Sequence, residues 1–343
     1  MAGGGGGGVM IDRDWQALSD EAAIEPDLEI VDPHHHLWDT ETSYGLYDLD
    51  DLLADTGAGH RVVQTVFIDC GSNYLDDGPV ELRPVGETRW VATRAEASEQ
   101  GPEATIAAIV SHADLSLGPA VGDVLAAHVE AAGGRFRGIR HSGARADDPD
   151  VPTSRTEPEP DLYRRPAFQE GARALAAAGL SFEAWQYHPQ LDMVAALARA
   201  VPELSIVVNH LGGPIGVGRW ASARQEVEAD LRTGLTALAA LDNVTMKVGG
   251  IGMTRFGSRW HLDDRPPTSD DVVARWGDLL RWTIDTFGPH RCMFESNFPV
   301  DGETVGYVPL WNAFKKVSVG YSPAERADLF AGTARRVYRL DHP

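Results

Sequence analysis

The sequence predicts an α/β fold, a single-domain (β/α)8 TIM barrel, and three observations carry that prediction. Eight short β-rich runs recur along the chain, helical segments separate them, and polar residues gather at the C-terminal end of nearly every run. The runs are 29–31, 62–68, 105–110, 136–140, 180–185, 204–208, 244–248 and 292–294. Ala- or Leu-rich stretches at helical spacing lie between them, among them 121–132, 168–178, 191–200, 225–241 and 272–287. Strand–helix alternation implies parallel strands joined by helical crossovers. Eight such units suit a closed barrel better than an open doubly wound sheet. No GxGxxG follows the first run, which weakens a dinucleotide-binding reading.

In order, the runs end in DPHHHLWD (32–39), FIDCG (67–71), Ser111 with His112 and Asp114, GIRH (138–141), WQYHPQ (185–190), VNHLGGP (208–214), MKVGGIGM (246–253) and MFESNFPVD (293–301). Barrel enzymes place their catalytic groups at these strand ends. Two loops exceed what packing needs: 142–165, rich in Asp, Pro and Arg, and 254–269, which carries Arg255, Arg259 and Trp260. Long loops after barrel strands often serve as lids.

Whole-chain properties exclude several classes. Lys and Arg number 30 against 51 Asp and Glu, a net charge of −21, which argues against nucleic acid and anionic membranes as partners. A local arginine cluster can still receive a small anionic substrate. Two cysteines, Cys70 and Cys292, make no disulfide framework, so a cytoplasmic location is expected. No apolar run approaches the ~20 residues that span a bilayer. Met1 is followed by the glycine run 3–8 rather than a basic and apolar leader, so residues 1–28 are expected to be a flexible segment and 29–343 the barrel. A homo-oligomer is compatible with all of this.

His34 and His36 stand two apart on a strand, so their rings project from one face, with Asp32 expected on that face and His35 opposite. Two imidazoles aimed into a barrel mouth can grip a divalent metal, or form a hydrogen-bonded polar cluster without one. His188 and His210 end the fifth and sixth strands and are expected to reach the same pocket. Arg140 could hold a substrate carboxylate, or pair with Asp69 or Glu295. His141, Trp185, Arg255, Arg259 and Trp260 are the expected substrate contacts. Lys247 could reach the lumen or serve in a structural ion pair.

DPHHHLWD, GIRH, NHLGGP, KVGGIGM and MFESNFPVD together resemble an amidohydrolase-related barrel group that includes L-fuconolactonase, L-rhamnonolactonase and pyrone-dicarboxylate lactonase; the wider family contains metal-dependent decarboxylases of aromatic acids. The resemblance runs from about Ile30 to the end. It implies that His34, His36 and His188 hold a divalent metal where one is present, zinc first, although some members work without metal. It also implies that His210 orients or protonates substrate. Asn297 stands where many members have a metal-binding aspartate that acts as base, and an amide takes no proton from water near neutrality. Glu295, Asp69 and Asp301 are therefore the candidate bases, Glu295 first because it shares a face with Asn297. The expected activity is hydrolysis of a carboxylate-bearing lactone or related cyclic ester. Non-oxidative decarboxylation of an aromatic acid and a barrel that only binds ligand are the alternatives.

Overall fold

The computed structural model describes residues 10–19 and 21–341. Eight parallel strands follow one another round a single sheet: β1 (Glu29–His35), β2 (Arg61–Ile68), β3 (Thr105–Ser111), β4 (Phe136–Arg140), β5 (Ser181–Ala184), β6 (Ile206–Val208), β7 (Val244–Gly249) and β8 (Cys292–Glu295). Every predicted run becomes a strand, with ends shifted by a few residues. The ring closes where His35 bridges Phe298 just beyond β8 and the His36 amide donates to the Phe298 carbonyl at 2.8 Å.

Helices α1 (Leu49–Thr56), α2 (Val85–Ser98), α3 (Val121–Ala131), α4 (Pro166–Ala177), α5 (Leu191–Ala200), α6 (Arg224–Ala239), α7 (Ser269–Phe287) and α8 (Tyr307–Val317) wrap the sheet. Their starts follow from the chain: Asp48 and Asp51 make a capping box before α1, Thr268 and Asp271 another before α7, and Pro166 opens α4. Alternation along the strands divides their side chains. Phe67, Ile139, Phe182, Val248 and Phe294 join the core shared with the helices, whereas Val31, Val66, Ile68, Val110, Val207 and Met293 fill the lumen with Tyr338 from the C-terminal helix. Both faces are covered, so the strands read as nearly continuous apolar runs.

Two features were not legible in the runs. A hairpin, Trp38–Thr42 with Gly45–Tyr47, follows β1 directly and sits at the mouth. The part of the N-terminal stretch that is described is tied to the barrel: Arg13 pairs with Asp55 at 2.7 Å, and the Ile24 amide donates to Asn312 at 2.8 Å. Residues 1–9, including the glycine run, lie outside the described residues. No helix among the described residues is long and apolar enough to cross a membrane.

Candidate active site

At the floor of the mouth, Glu295 joins two histidines from different strands. Its Oε1 accepts from His210 Nδ1 at 2.9 Å and from the His210 amide at 3.0 Å. Its Oε2 lies 2.7 Å from His34 Nδ1, at an angle poor for a hydrogen bond. The rings of His34 and His210 are 4.5 Å apart and those of His34 and His36 4.9 Å apart. His36 Nδ1 is 2.7 Å from the Ile68 carbonyl, so that nitrogen carries the proton and Nε2 keeps its lone pair. Burial, with Lys247 second, holds His34 well below the usual histidine range; burial, with Arg140 second, does the same to His36. His210 is also lowered by burial, and Glu295 opposes that shift. All three imidazoles are thus neutral near pH 7.

The local backbone is built around this contact. His210, Leu211 and Asn297 have φ of 51°, 53° and 53°, left-handed values that non-glycine residues seldom adopt. Such strain gathers at functional sites. Gly250, φ 68°, faces the His210 ring: a Cβ there would fall 2.6 Å from His210 Nδ1.

Two cations stand against His34. Arg140 Nη1 is 3.3 Å from its Nε2, and Lys247 Nζ is 3.3 Å from its Nδ1. Lys247 is wholly buried and pairs with Glu183 at 3.0 Å; Asn209 and the Tyr338 hydroxyl also donate to Glu183. That settles Lys247 as a member of a lumenal ion pair that still touches the site. Arg140 pairs with neither Asp69 nor Glu295: its other contact is the Asp69 main-chain carbonyl, and no carboxylate among the described residues meets it.

Other expected residues fall elsewhere. The Asp69 carboxylate takes Arg155 at 2.5 Å and the Tyr74 hydroxyl at 2.7 Å. Burial works to raise it, but Arg155, His112 and Arg140 outweigh burial and hold it well below the carboxylate range. Asp301 accepts from the Gly252 amide and from Asn297 Nδ2, both at 2.8 Å; burial pushes its carboxyl well up. Asn297 and Asp301 therefore fasten the loop after β7 to the loop after β8. Asp32 does not share the face of His34. The register slips between Asp32 and His35, and its carboxylate accepts from Ser296 and Tyr307, each at 3.0 Å, beside the barrel seam. His141 turns outward onto His112 and Phe168, with ring centroids 5.1 and 5.4 Å away, as the residue after an inward Arg140 must. His188 packs on Trp220 at 4.9 Å, where its Nδ1 accepts from the Ile215 amide at 3.3 Å, and is not in the His34 cluster.

Trp185 does reach the site, edge-on to His210 at 4.8 Å and near Phe256 at 6.0 Å. Arg255 is engaged with Tyr187, Tyr44 and Glu303, and these outweigh burial to raise its pKa. Tyr44 belongs to the hairpin, 5.6 Å from Trp38, which stacks beside His36 at 6.2 Å. Trp260 is half-buried and Arg259 exposed. Sequence reasoning missed Tyr44 and Tyr187, because nothing marks a hairpin or loop tyrosine as facing the mouth. Arg155 was missed too, although the Arg content of 142–165 was its signal.

His34, His210 and Glu295 form a buried group whose ligand atoms all lie within 4.8 Å of one another, so in composition they suit a divalent cation. In this structure they stand closer together than a bound zinc would hold them. Two ligands on one tetrahedral zinc, each about 2.0–2.1 Å from it, stand about 3.3 Å apart. Here nitrogen and oxygen approach to 2.7 and 2.9 Å, which are hydrogen-bond and ion-pair separations, and Arg140 and Lys247 occupy both sides of His34. The expected trio of His34, His36 and His188 does not gather.

Comparison with known proteins agrees with the geometry. The amidohydrolase family profile matches residues 31–340. An uncharacterised protein of Sinorhizobium fredii, y4mH, is 33% identical over 92% of this chain and 99% of its own. An L-fucono-1,5-lactonase of Burkholderia ambifaria is 26% identical over 91% of this chain and 96% of its own. A zinc-bound amidohydrolase structure from Burkholderia multivorans superposes with a TM-score of 0.68 at 23% identity, over 91% of this chain and 99% of that one, which shows the shared fold. With Glu295 and its two histidines at the C-terminal mouth of an eight-stranded barrel, the chain belongs to the amidohydrolase family.

Proposed function

We propose that the protein hydrolyses a lactone bearing a carboxylate. The observation that carries this reading is Arg140: a cation at the barrel mouth, against His34, with no carboxylate partner of its own among the described residues. A guanidinium so placed suits a bidentate anionic group on a substrate. The lactonase of Burkholderia ambifaria supports the reaction class.

The rest follows from the dyad. Glu295 accepts from His210 Nδ1, which leaves the Nε2 lone pair toward the pocket and stabilises the imidazolium that forms when Nε2 takes a proton. Water attacks the lactone carbonyl carbon while His210 accepts its proton. Arg140 keeps the substrate carboxylate throughout and so holds the lactone carbonyl beside His210. The ring C–O bond then breaks, and His210 returns the proton to the departing alkoxide, giving a hydroxy acid. Glu295 lies behind the histidines and acts through His210 as a positioning residue. His34 and Trp185 wall the pocket, and Arg255 with Tyr44 and Tyr187 form its outer rim.

A panel of carboxylate-bearing and neutral lactones, followed with a pH indicator, tests this. Acid release from carboxylate-bearing lactones is expected. A panel with no turnover, accompanied by CO₂ release from aromatic acids, would replace hydrolysis with decarboxylation.

A further inference from the structure

A second cavity, of about 280 Å³, lies outside the barrel between α6, α7 and the turns after β6 and β7. We propose that it is a separate ligand site for a small aromatic carboxylate. Three guanidinium groups, Arg224, Arg259 and Arg275, line it against one carboxylate, Glu228. That balance runs against a chain with 51 acidic and 30 basic residues. Arg224 takes Glu228 at 2.7 Å, which leaves Arg275 and Arg259 without an ion pair among the described residues. Burial, with Arg224 second, lowers Arg275, as expected for crowded like charges. Arg275 Nε and the indole N–H of Trp276, both buried in the residues of this wall, have no hydrogen-bond partner. Unpaired buried donors are rare enough to call for an acceptor.

The rest of the wall selects the kind of anion. Trp220, Phe256 and Trp276 supply aromatic faces, and Arg275 and Arg224 lie 5.3 and 5.5 Å from the Trp276 ring centre. An inorganic anion would satisfy the cations and leave these faces wet. A ring carrying a carboxylate covers both. The volume, just under the ~300–1,000 Å³ of drug-sized pockets, limits the ligand to about one ring. The site also touches the catalytic apparatus. Phe256 lines this cavity and approaches Trp185, and Arg275 Nη2 holds the Gly257 carbonyl at 2.7 Å, in the turn that carries Arg255 to the mouth. Arg259, expected at the mouth, lines this cavity as well as the one that Arg255 lines.

Calorimetric titration with benzoate tests the proposal in an Arg140→Met background, where the cation at the barrel mouth is absent. One site with a Kd of about 1 mM or tighter is expected. Adding Arg259→Met or Arg275→Met should weaken binding at least about tenfold, and benzyl alcohol should bind at least about tenfold more weakly than benzoate. Arg259 is exposed, so its variant decides the matter even if the Arg275 variant does not fold. No benzoate binding in the Arg140→Met protein would overturn the proposal. So would binding that ignores Arg259→Met, or benzyl alcohol binding as well as benzoate.

Discussion

Replacing Glu295 by Gln removes one charge and changes almost no volume, so it isolates what the carboxylate does for the two histidines. In the native site Oε1 holds His210 by Nδ1 and by the main chain, at 2.9 and 3.0 Å, and Oε2 faces His34 Nδ1 at 2.7 Å. A glutamine can keep its oxygen on His210, but its NH₂ then meets His34 Nδ1. That turns His34 to the tautomer with a proton on Nε2, pointing at Arg140 3.3 Å away. The negative charge that would steady a His210 imidazolium is also gone. The loss of one charge-assisted hydrogen bond costs about 1.5–3 kcal/mol. Taking about 2 kcal/mol at the transition state gives roughly a 30-fold fall in kcat. KM is expected to change as well, because the His34 proton then faces Arg140, so kcat is the readout. The assay is steady-state lactone hydrolysis, with thermal unfolding to show that the variant is folded. A folded Glu295→Gln protein with more than half the native kcat would refute the dyad.

Arg140→Met should lower kcat/KM for an anionic lactone by about 1.5–3 kcal/mol; equal losses on a neutral lactone would show that Arg140 does not bind the substrate carboxylate. Gly250→Ala puts a side chain where φ is 68° and 2.6 Å from His210 Nδ1, so activity should fall even where the protein folds; native kcat would contradict the packing argument. Because His210 is lowered from 6.5, the acid limb of kcat/KM should lie below pH 6.5, and a limb at or above it would place another group as base. Stability should follow the same sign. His35 and His141 are lowered to about 3 and His128 and His188 to about 4, chiefly by burial, so their contribution is full above the unfolded value of 6.5 and is lost as pH falls toward 4. Asp32, raised to about 6 by burial, opposes this between pH 6 and 3.8, as do Asp301 and Glu87, also raised by burial, while His34, His36 and His210, all lowered, add to the four histidines. Urea unfolding should therefore show a less stable protein at pH 5 than at pH 7.5, and the reverse order would contradict the assignments. Prolonged treatment with a strong chelator should leave turnover intact; loss that zinc restores would show that the His34 network opens to a metal.

The barrel was legible because its signals are local. Each strand is a short apolar run, and each ends in a polar cluster that period-two alternation alone aims inward or outward. The same alternation set His34 with His36 and Glu295 with Asn297, and the polar cluster ending the fourth run supplied Arg140. It failed where the backbone leaves the ideal strand. The register slip after Asp32 turns that side chain to the seam, and left-handed turns at His210 and Asn297 decide which way those side chains face. His188 shows a different limit: a histidine just past a strand end can sit in a short helical turn, His188–Gln190, and pack against Trp220. Pairing was illegible throughout. Asp69 and Arg155 are 86 residues apart, and so was the fate of Arg140 hidden, since it depended on which carboxylates other residues had already taken.

The most direct test of the proposed chemistry is hydrolysis in oxygen-18-labelled water of any lactone the enzyme turns over. Water attack at the carbonyl predicts one labelled oxygen in the new carboxylate, none in the released hydroxyl, and no CO₂. Label in the hydroxyl, or CO₂ with an unlabelled product, would contradict it.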